Sequence, residues 1–350
     1  MSVIYIGMDL HKKTSSFCAM SEEGNILKET KVATIPDEVG KFIRSFGKKD
    51  KLKLVLEPIS QGAFYADYIE SLGVEVHLAH PKKVKAIASA RIKTDRIDAQ
   101  VLAHLLRSNL LPESYHAPLS VRLLKEQARG RLSLVANRTR LKNKVHGILF
   151  RNGIIYSKTT LFTKQGREWM KGLSLKEEYR HHLDALLSLI DGVNDQIKTL
   201  EKYLEQTVEE SEQMKLLKTI PGIGDVTALT ILSEIGDINR FPHQRNLQSY
   251  AGLVPSVRTS GGHSQYGNIT KEGSTYLRYV MVEVAHHQLL LKRKYVGLKW
   301  YYQRLALRKN NQTAAVATAR KLLTVVFKVL KEKRPFEERL PKTISIISST

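Results

Sequence analysis

Apolar residues come in short runs at the start of the chain and at helical spacing over most of the rest. Residues 2–9 (SVIYIGMD) read as a buried strand that ends in an acid. Residues 14–20 and 26–34 continue as strands, separated by the turn-like Glu23-Gly24-Asn25. Pro36 to Phe46 has the pattern of a helix with Pro in its first turn. The run 52–57 (LKLVLE) is a short apolar strand, again closed by an acid. A helix over 61–72, a strand over 74–79 and a helix over 81–90 follow. Three strands followed by alternating helices and strands predict a mixed sheet with helices on its faces, an α/β layer fold.

The pattern then turns helical. Residues 119–150 form a long Arg-rich stretch in which Val135, Leu141, Val145 and Ile148 keep helical spacing, with Arg138 interrupting the line. Residues 151–174 read as irregular, with Gly153, Gly166 and Gly172. Leu183, Leu186, Ile190, Val193, Ile197, Leu200 and Leu204 then alternate steps of three and four, a heptad seam. Such a seam serves either an intramolecular helical hairpin or a dimer contact. Beyond residue 216 the pattern predicts a glycine-rich loop over 258–268 and helices near 271–291, 296–308 and 312–333, with a frayed tail.

Charge changes the picture more than composition does. The 350 residues carry 56 Lys and Arg against 34 Asp and Glu, a net charge of +22. That surplus favours a polyanionic partner, nucleic acid or an anionic membrane. The excess lies in two blocks: residues 80–151 hold 16 basic and 4 acidic residues, and 256–334 hold 16 and 3. Between them, 174–215 is acidic, with 5 basic and 10 acidic residues. Solvated surface explains a few lysines and not two blocks of this size. No apolar run is long enough to span a bilayer, and the N-terminal apolar run carries Asp9 with no basic segment before it, unlike a signal peptide. A single cysteine, Cys18, excludes an internal disulfide and points to a reducing cytoplasm. Nucleic acid is therefore the expected partner, with no membrane.

Candidate chemistry gathers on acids. Asp9 and Glu57 each end a predicted strand, and the ends of buried strands are where sites form in an open α/β sheet. Asp95 and Asp98, in RIKTDRIDAQ, share one helix face at i, i+3. Converging carboxylates repel unless cations relieve them, and oxygen-only ligands suit Mg2+. Two such ions can stabilise the attacking and leaving oxygens of phosphodiester chemistry. Each acid taken alone also has a plain structural reading as a turn residue, an exposed side chain or a helix cap. Together they give the layout of an RNase H-like nuclease core. His11 and Lys12 follow Asp9 at the same edge, Lys12 as a phosphate contact. Arg91, Lys93 and Arg96 flank the paired acids as further candidate contacts.

The segments GMD (7–9), VLEP (55–58) and KTDRIDA (93–99) resemble the DEDD motif of insertion-sequence transposases related to the Piv and MooV invertases, recombinases guided by a bridge RNA. The likeness continues in order through TIPGIGDVTA (219–228), YAGLVP (250–255), RTSGG (258–262), ITKEGSTYLRYVM (269–281) and ARKLL (319–323). The resemblance implies a RuvC-like catalytic domain over 1–110, a helical coiled-coil region over 111–215, a mainly α transposase domain over 216–335 and a tail over 336–350. It implies that Asp9, Glu57, Asp95 and Asp98 hold Mg2+. It implies that a serine of the C-terminal domain forms a covalent phosphoserine link to DNA, here Ser260, with Ser264 the alternative under a small alignment shift. It implies composite sites in a dimer or tetramer, with a non-coding bridge RNA pairing to donor and target DNA, in the bacterial cytoplasm.

The C-terminal residues can be read on their own. IPGIG (220–224) has the form of a helix-hairpin-helix turn, in which Gly222 and Gly224 let backbone N–H groups meet a phosphate. A plain helix–helix turn is the competing reading. Arg258, Lys271 and Arg278 can hold phosphate oxygens, and His263 is a candidate proton carrier, with simple exposure the alternative. Lys292, Arg293 and Lys294 interleave with Tyr279 and Tyr295 as a strand-binding pattern, while Trp300, Tyr301 and Tyr302 read as core. A RuvC-like resolvase that activates water would use the same acids without Ser260, and a non-catalytic binder would need none of them.

Overall fold

A computed structural model describes residues 2–47, 49–58, 61–87, 94–156, 161–260, 263–291 and 297–338. The chain divides into two compact units, Met1–Ala117 and Pro118–Thr350.

The first unit is built on five strands: β1 (Val3–Leu10), β2 (Thr14–Met20), β3 (Ile26–Ala33), β4 (Lys51–Leu56) and β5 (Glu75–Leu78). Their order across the sheet is β3-β2-β1-β4-β5; β1, β2 and β3 pair antiparallel, while β1, β4 and β5 run parallel. Helices α1 (Pro36–Arg44), α2 (Gly62–Ser71), α3 (Pro81–Ile87) and α4 (Asp95–Arg107) cover it. Side chains alternate across a strand, so β1 feeds two cores. Ile4, Ile6, Met8 and Leu10 pack with Phe17, Leu54 and Leu56 against Val39, Phe42 and Ile43 of α1 and Tyr65, Ala66 and Ile69 of α2. Tyr5 faces the other way, where Val55 meets Leu102, Leu105 and Leu106 of α4. The sequence-predicted mixed sheet with helices on both faces is the fold observed.

One close approach sets the spacing of the second face. A Cβ built at Gly7 would lie 1.9 Å from the Ala99 carbonyl oxygen and 2.7 Å from the Ala103 nitrogen. The backbone of α4 therefore rests directly on the backbone of β1, an approach that only glycine permits. Ala99 and Ala103 are fully buried there, beside Cys18 and Met20.

The second unit opens with α5 (Leu119–Arg151), followed by α6 (Lys164–Lys171) and α7 (Glu177–Thr207). The seam of α7 is satisfied within the chain. Leu183, Leu186 and Ile190 pack with Val145, Ile148 and Leu149 of α5 and Met170 of α6. Arg138 donates to Asn194 at 3.1 Å and Arg131 to Glu201 at 2.7 Å, so the residue that interrupts the apolar line of α5 has a polar partner on α7. Over Leu183 to Ile190 the seam therefore packs on α5 and α6 of the same chain. The expectation of an irregular 151–174 is corrected in part: Thr163 caps α6 by accepting from the Gly166 N–H.

Helices α8 (Glu212–Lys218), α9 (Asp225–Ile235), α10 (Gln244–Tyr250), α11 (Thr275–His287), α12 (Gly297–Arg308) and α13 (Asn311–Glu332) complete the unit. Their core includes Leu217, Ile220, Ile231, Leu247, Met281, Leu322 and Val326. The segment expected to be a glycine-rich loop is instead an antiparallel ribbon of β6 (Pro255–Ser260) and β7 (His263–Ile269), in which Ser260 pairs with His263. Its base is tightly drawn. A Cβ at Gly252 would lie 2.2 Å from the Glu272 oxygen and one at Gly273 would lie 2.1 Å from the Tyr250 oxygen, and both glycines have positive φ. Beneath that base sits Glu234 of α9, whose side chain is fully buried. Arg129 of α5 grips both its oxygens, at 2.6 and 3.0 Å, and Ser274 donates to it at 2.9 Å. Among the described residues no helix is long and apolar enough to cross a membrane.

Candidate active site

The alternation that builds the first unit also aims its acids. Asp9 follows Gly7 by two residues on β1 and so shares the face covered by α4. Glu57 immediately follows β4, whose Leu56 is registered against Met8; it is the next position alongside Asp9. Asp95 and Asp98 lie in the first turn of α4, which Thr94 caps by accepting from the Ile97 N–H. Because α4 lies on the β1 backbone through Gly7, that first turn is held at the end of the sheet where Asp9 stands.

The distances bear this out for three side chains. Asp9, His11 and Asp95 each offer a ligand atom, and these atoms all lie within 4.8 Å of one another. His11 Nε2 is 3.1 Å from Asp9 Oδ2 and 3.4 Å from Asp95 Oδ1. Lys31 of β3 donates to Asp95 Oδ2 at 2.7 Å. Burial raises the pKa of Asp9 first; His11 opposes the rise, and the charges of Asp98 and Asp95 add to it. Lys31 holds Asp95 below its ordinary value. Asp9 Oδ2 is buried, and its one close polar neighbour among the described residues is His11 Nε2 at 3.1 Å, a contact that is not aligned as a regular hydrogen bond. A buried carboxylate oxygen without an aligned hydrogen bond, set among further carboxylates, fits a divalent cation, which would add to the positive charge of Lys31.

The remaining expected residues fall as follows. Lys12 is exposed beside the cluster, and Arg96 is exposed and paired with Glu29 at 2.5 Å. Arg91 and Lys93 lie outside the described residues, as do Lys292, Arg293, Lys294 and Tyr295. In the second unit Ser260 is exposed at the end of β6, and Arg258 is exposed on the same strand. Lys271 is exposed in a left-handed conformation, with φ 55°. Arg278 is half-buried and donates to the Ala251 carbonyl at 2.9 Å, bracing the ribbon's base. Gly222 has φ 89° in the turn between α8 and α9, and the Gln288 amide donates to Pro221 O at 2.7 Å behind it. Gly224 is exposed with open space beside it, ahead of the first turn of α9.

Sequence reasoning placed His11 at the right edge without making it part of the cluster; its signal was its spacing from Asp9. Lys31 gave no signal, since it reaches Asp95 from a strand 64 residues earlier. A second group was also missed: Asp67, Glu70 and His116 bring ligand atoms within 4.8 Å of one another, and the i, i+3 acids of α2 were its only trace.

Comparison with known proteins completes the description. A DEDD-type IS110 transposase model matches residues 6–151, and a model described as Transposase IS116/IS110/IS902 family matches residues 214–303. The transposase for insertion sequence element IS1111A of Coxiella burnetii is 22% identical over 340 residues, covering 95% of this chain and 90% of that protein. The transposase for insertion sequence element IS1328 of Yersinia enterocolitica is 24% identical over 96% of this chain and 99% of its own length. The pilin gene-inverting protein of Moraxella lacunata is 27% identical over 97% and 99%.

Proposed function

The chain belongs to the IS110/IS116 family of insertion-sequence transposases, enzymes that cut and rejoin DNA, and from that premise we propose that it is a bridge-RNA-guided serine recombinase. Its first unit is an RNase H-like (RuvC-like) domain; the strand order β3-β2-β1-β4-β5, with acids after β1 and β4, supports that reading. Asp9, Glu57, Asp95 and Asp98 hold Mg2+. The observation that carries the proposal is the buried, unsatisfied Asp9 oxygen set against Asp95 in a chain that matches the family at both ends.

Bound Mg2+ supplies positive charge that polarises the phosphoryl oxygens and lowers the cost of the attacking and leaving oxygens. The chain's own residues do the rest. Ser260, presented at the end of an exposed strand, attacks phosphorus through Oγ. A serine–phosphate ester forms, the P–O bond to one strand's hydroxyl breaks, and the serine proton leaves with that hydroxyl. Attack by the hydroxyl of a second strand reverses the exchange, so the number of phosphodiester bonds is conserved. Arg258 and Lys271 hold the phosphate, and the turn at Gly222 and Gly224 grips duplex backbone. The non-coding bridge RNA selects donor and target DNA. The protein acts as a homo-oligomer, a dimer assembling to a tetramer, on nucleoid DNA in the bacterial cytoplasm.

The test incubates purified protein with Mg2+, the RNA from its element's flank, and labelled donor and target DNA, followed by denaturing gels. Wild type is expected to give a protein–DNA adduct that Ser260→Ala and Asp9→Ala abolish and Ser264→Ala retains. Loss with Ser264→Ala alone would move the nucleophile. Cleavage with no adduct, surviving both serine changes, would replace recombination by a water-using nuclease.

A further inference from the structure

The end of the second unit holds a cavity of about 430 Å³ between α12, α13 and the segment after α13. The aromatic run of α12 divides there. Tyr302 is core, 1% exposed, and its hydroxyl donates to the Asn311 carbonyl. Trp300 and Tyr301 instead line the cavity, with Trp300 36% exposed, and Phe336 stands on its wall. Three cations share that wall: Lys321 and Lys328 from α13, and Arg334. Lys321 Nζ lies 4.6 Å from the Tyr301 ring centroid, and Arg304 Cζ lies 5.1 Å from that of Trp300. Two acids line the cavity as well, Glu337 and Glu338, the latter accepting from the Gly297 N–H at 2.6 Å, and Glu332 nearby pairs with Arg334 at 2.5 Å. Among the described residues neither Lys321 nor Lys328 forms an ion pair.

Flat aromatic faces beside lysines without acidic partners make a chemical demand: a planar, electron-poor ring joined to an anion. The cavity has the size of a small-ligand site. A base paired inside a duplex keeps its faces stacked on its neighbours, so only an unpaired one can enter. The basic block over 256–334 draws polyanions to this end of the chain. We propose that this cavity is a nucleotide pocket that takes one unpaired nucleotide of a nucleic-acid strand, its base against Trp300 and its phosphate on Lys321 and Lys328. The inference rests on the reading of the protein as a nucleic-acid enzyme and adds to it a site for single-stranded nucleotides.

The chain has two tryptophans, Trp169 and Trp300, so Trp169→Phe in the full-length protein leaves Trp300 as sole reporter. It is titrated with a short oligoribonucleotide, the same sequence as DNA, and a DNA duplex, with binding followed separately by anisotropy of an end label. At least one single strand is expected to quench Trp300 as it binds, while the duplex binds without quenching; the quenching strand identifies RNA or DNA as the source. Trp300→Ala should weaken single-strand binding by roughly ten- to a hundredfold and leave duplex binding unchanged, with Trp300→Phe restoring most of it. Should Trp300→Ala unfold the chain, Lys321→Gln with Lys328→Gln is the second test, expected to shift the quenching midpoint upward. Single strands that bind with Trp300 emission unchanged, or a duplex that quenches equally, overturn the pocket alone. If no oligonucleotide binds at all, the pocket falls together with the nucleic-acid reading beneath it.

Discussion

Asp9 is a carboxyl group whose surroundings oppose its charge. Burial and the neighbouring acids hold its pKa above the ordinary 3.8, so the folded chain binds that proton more tightly than the unfolded chain does. The stability it contributes is fully present below 3.8 and is lost as pH rises through the raised value. Without divalent ions, the melting midpoint of wild type should therefore fall relative to Asp9→Asn as pH climbs from the ordinary carboxylate value, about 4, through the raised one. Added Mg2+ should raise the midpoint of wild type and not that of Asp9→Asn. Parallel midpoints across that window would sink the account of a frustrated carboxylate. Cys18 allows a simpler check. Burial pushes its thiol up to about 11, and the thiolate is the reactive form. Alkylation at pH 8 should proceed only in denaturant, as mass spectrometry would show. At this scale the sequence was informative where the signal was local. Asp9 and Glu57 close apolar runs and Asp95 and Asp98 share a helix face, whereas the Lys31–Asp95 pair joins distant strand and helix positions that no spacing rule connects.

Elements were legible where one face is buried and the other is not. The apolar runs of β1 and β4 and the seam of α7 each announced themselves, because burial of a repeating face is what stabilises them. The ribbon β6–β7 did not. Residues 256–260 are exposed, so they carry no apolar alternation, and Gly261, Gly262 and Gly267 gave the stretch the composition of a loop. Helix α6 was hidden in the same way by Gly166 and Gly172. Two substitutions test how elements are joined. Gly7→Ala forces a side chain into the backbone of α4 and should destabilise the first unit by about 3 kcal/mol or more, with loss of the Mg2+ response, measured by denaturant melts with and without the ion. Arg129→Met leaves Glu234 buried without its bidentate partner and should cost about 3–5 kcal/mol, most of it recovered when Glu234→Leu is added. A double variant no more stable than the single would mean that Ser274 and Lys125, whose Nζ lies 4.0 Å from Glu234, hold the carboxylate without Arg129.

At the scale of the whole molecule, charge carried the first functional clue and does not name a partner by itself. The net charge of +22 predicts duplex binding that weakens by about a thousandfold or more between about 50 and about 200 mM salt, the signature of released counterions. Filter binding across that range would check it; a flat profile would mean that the basic blocks do not meet phosphates. Asp9 and Asp95, which the structure brings together with His11, were both readable as candidates before the fold was known, because strand ends and helix turns are chain-local features. What brings them together was not readable, because it depends on which strands pair and which helix crosses them.

The contact at Gly7 behaves as a hard stop rather than a spring. Where two elements meet through side chains, rotamers can shift and the gap between them yields under load. Here a strand and a helix bear on each other through main-chain atoms, which have almost no travel. The main chains that carry Asp9 and Asp95 cannot draw apart, so only side-chain rotation and partners such as Lys31 are left to relieve their repulsion. On the proposed metal-binding reading, a cation arriving between Asp9 and Asp95 would find the two main chains already at their working distance and would have only side chains to draw in.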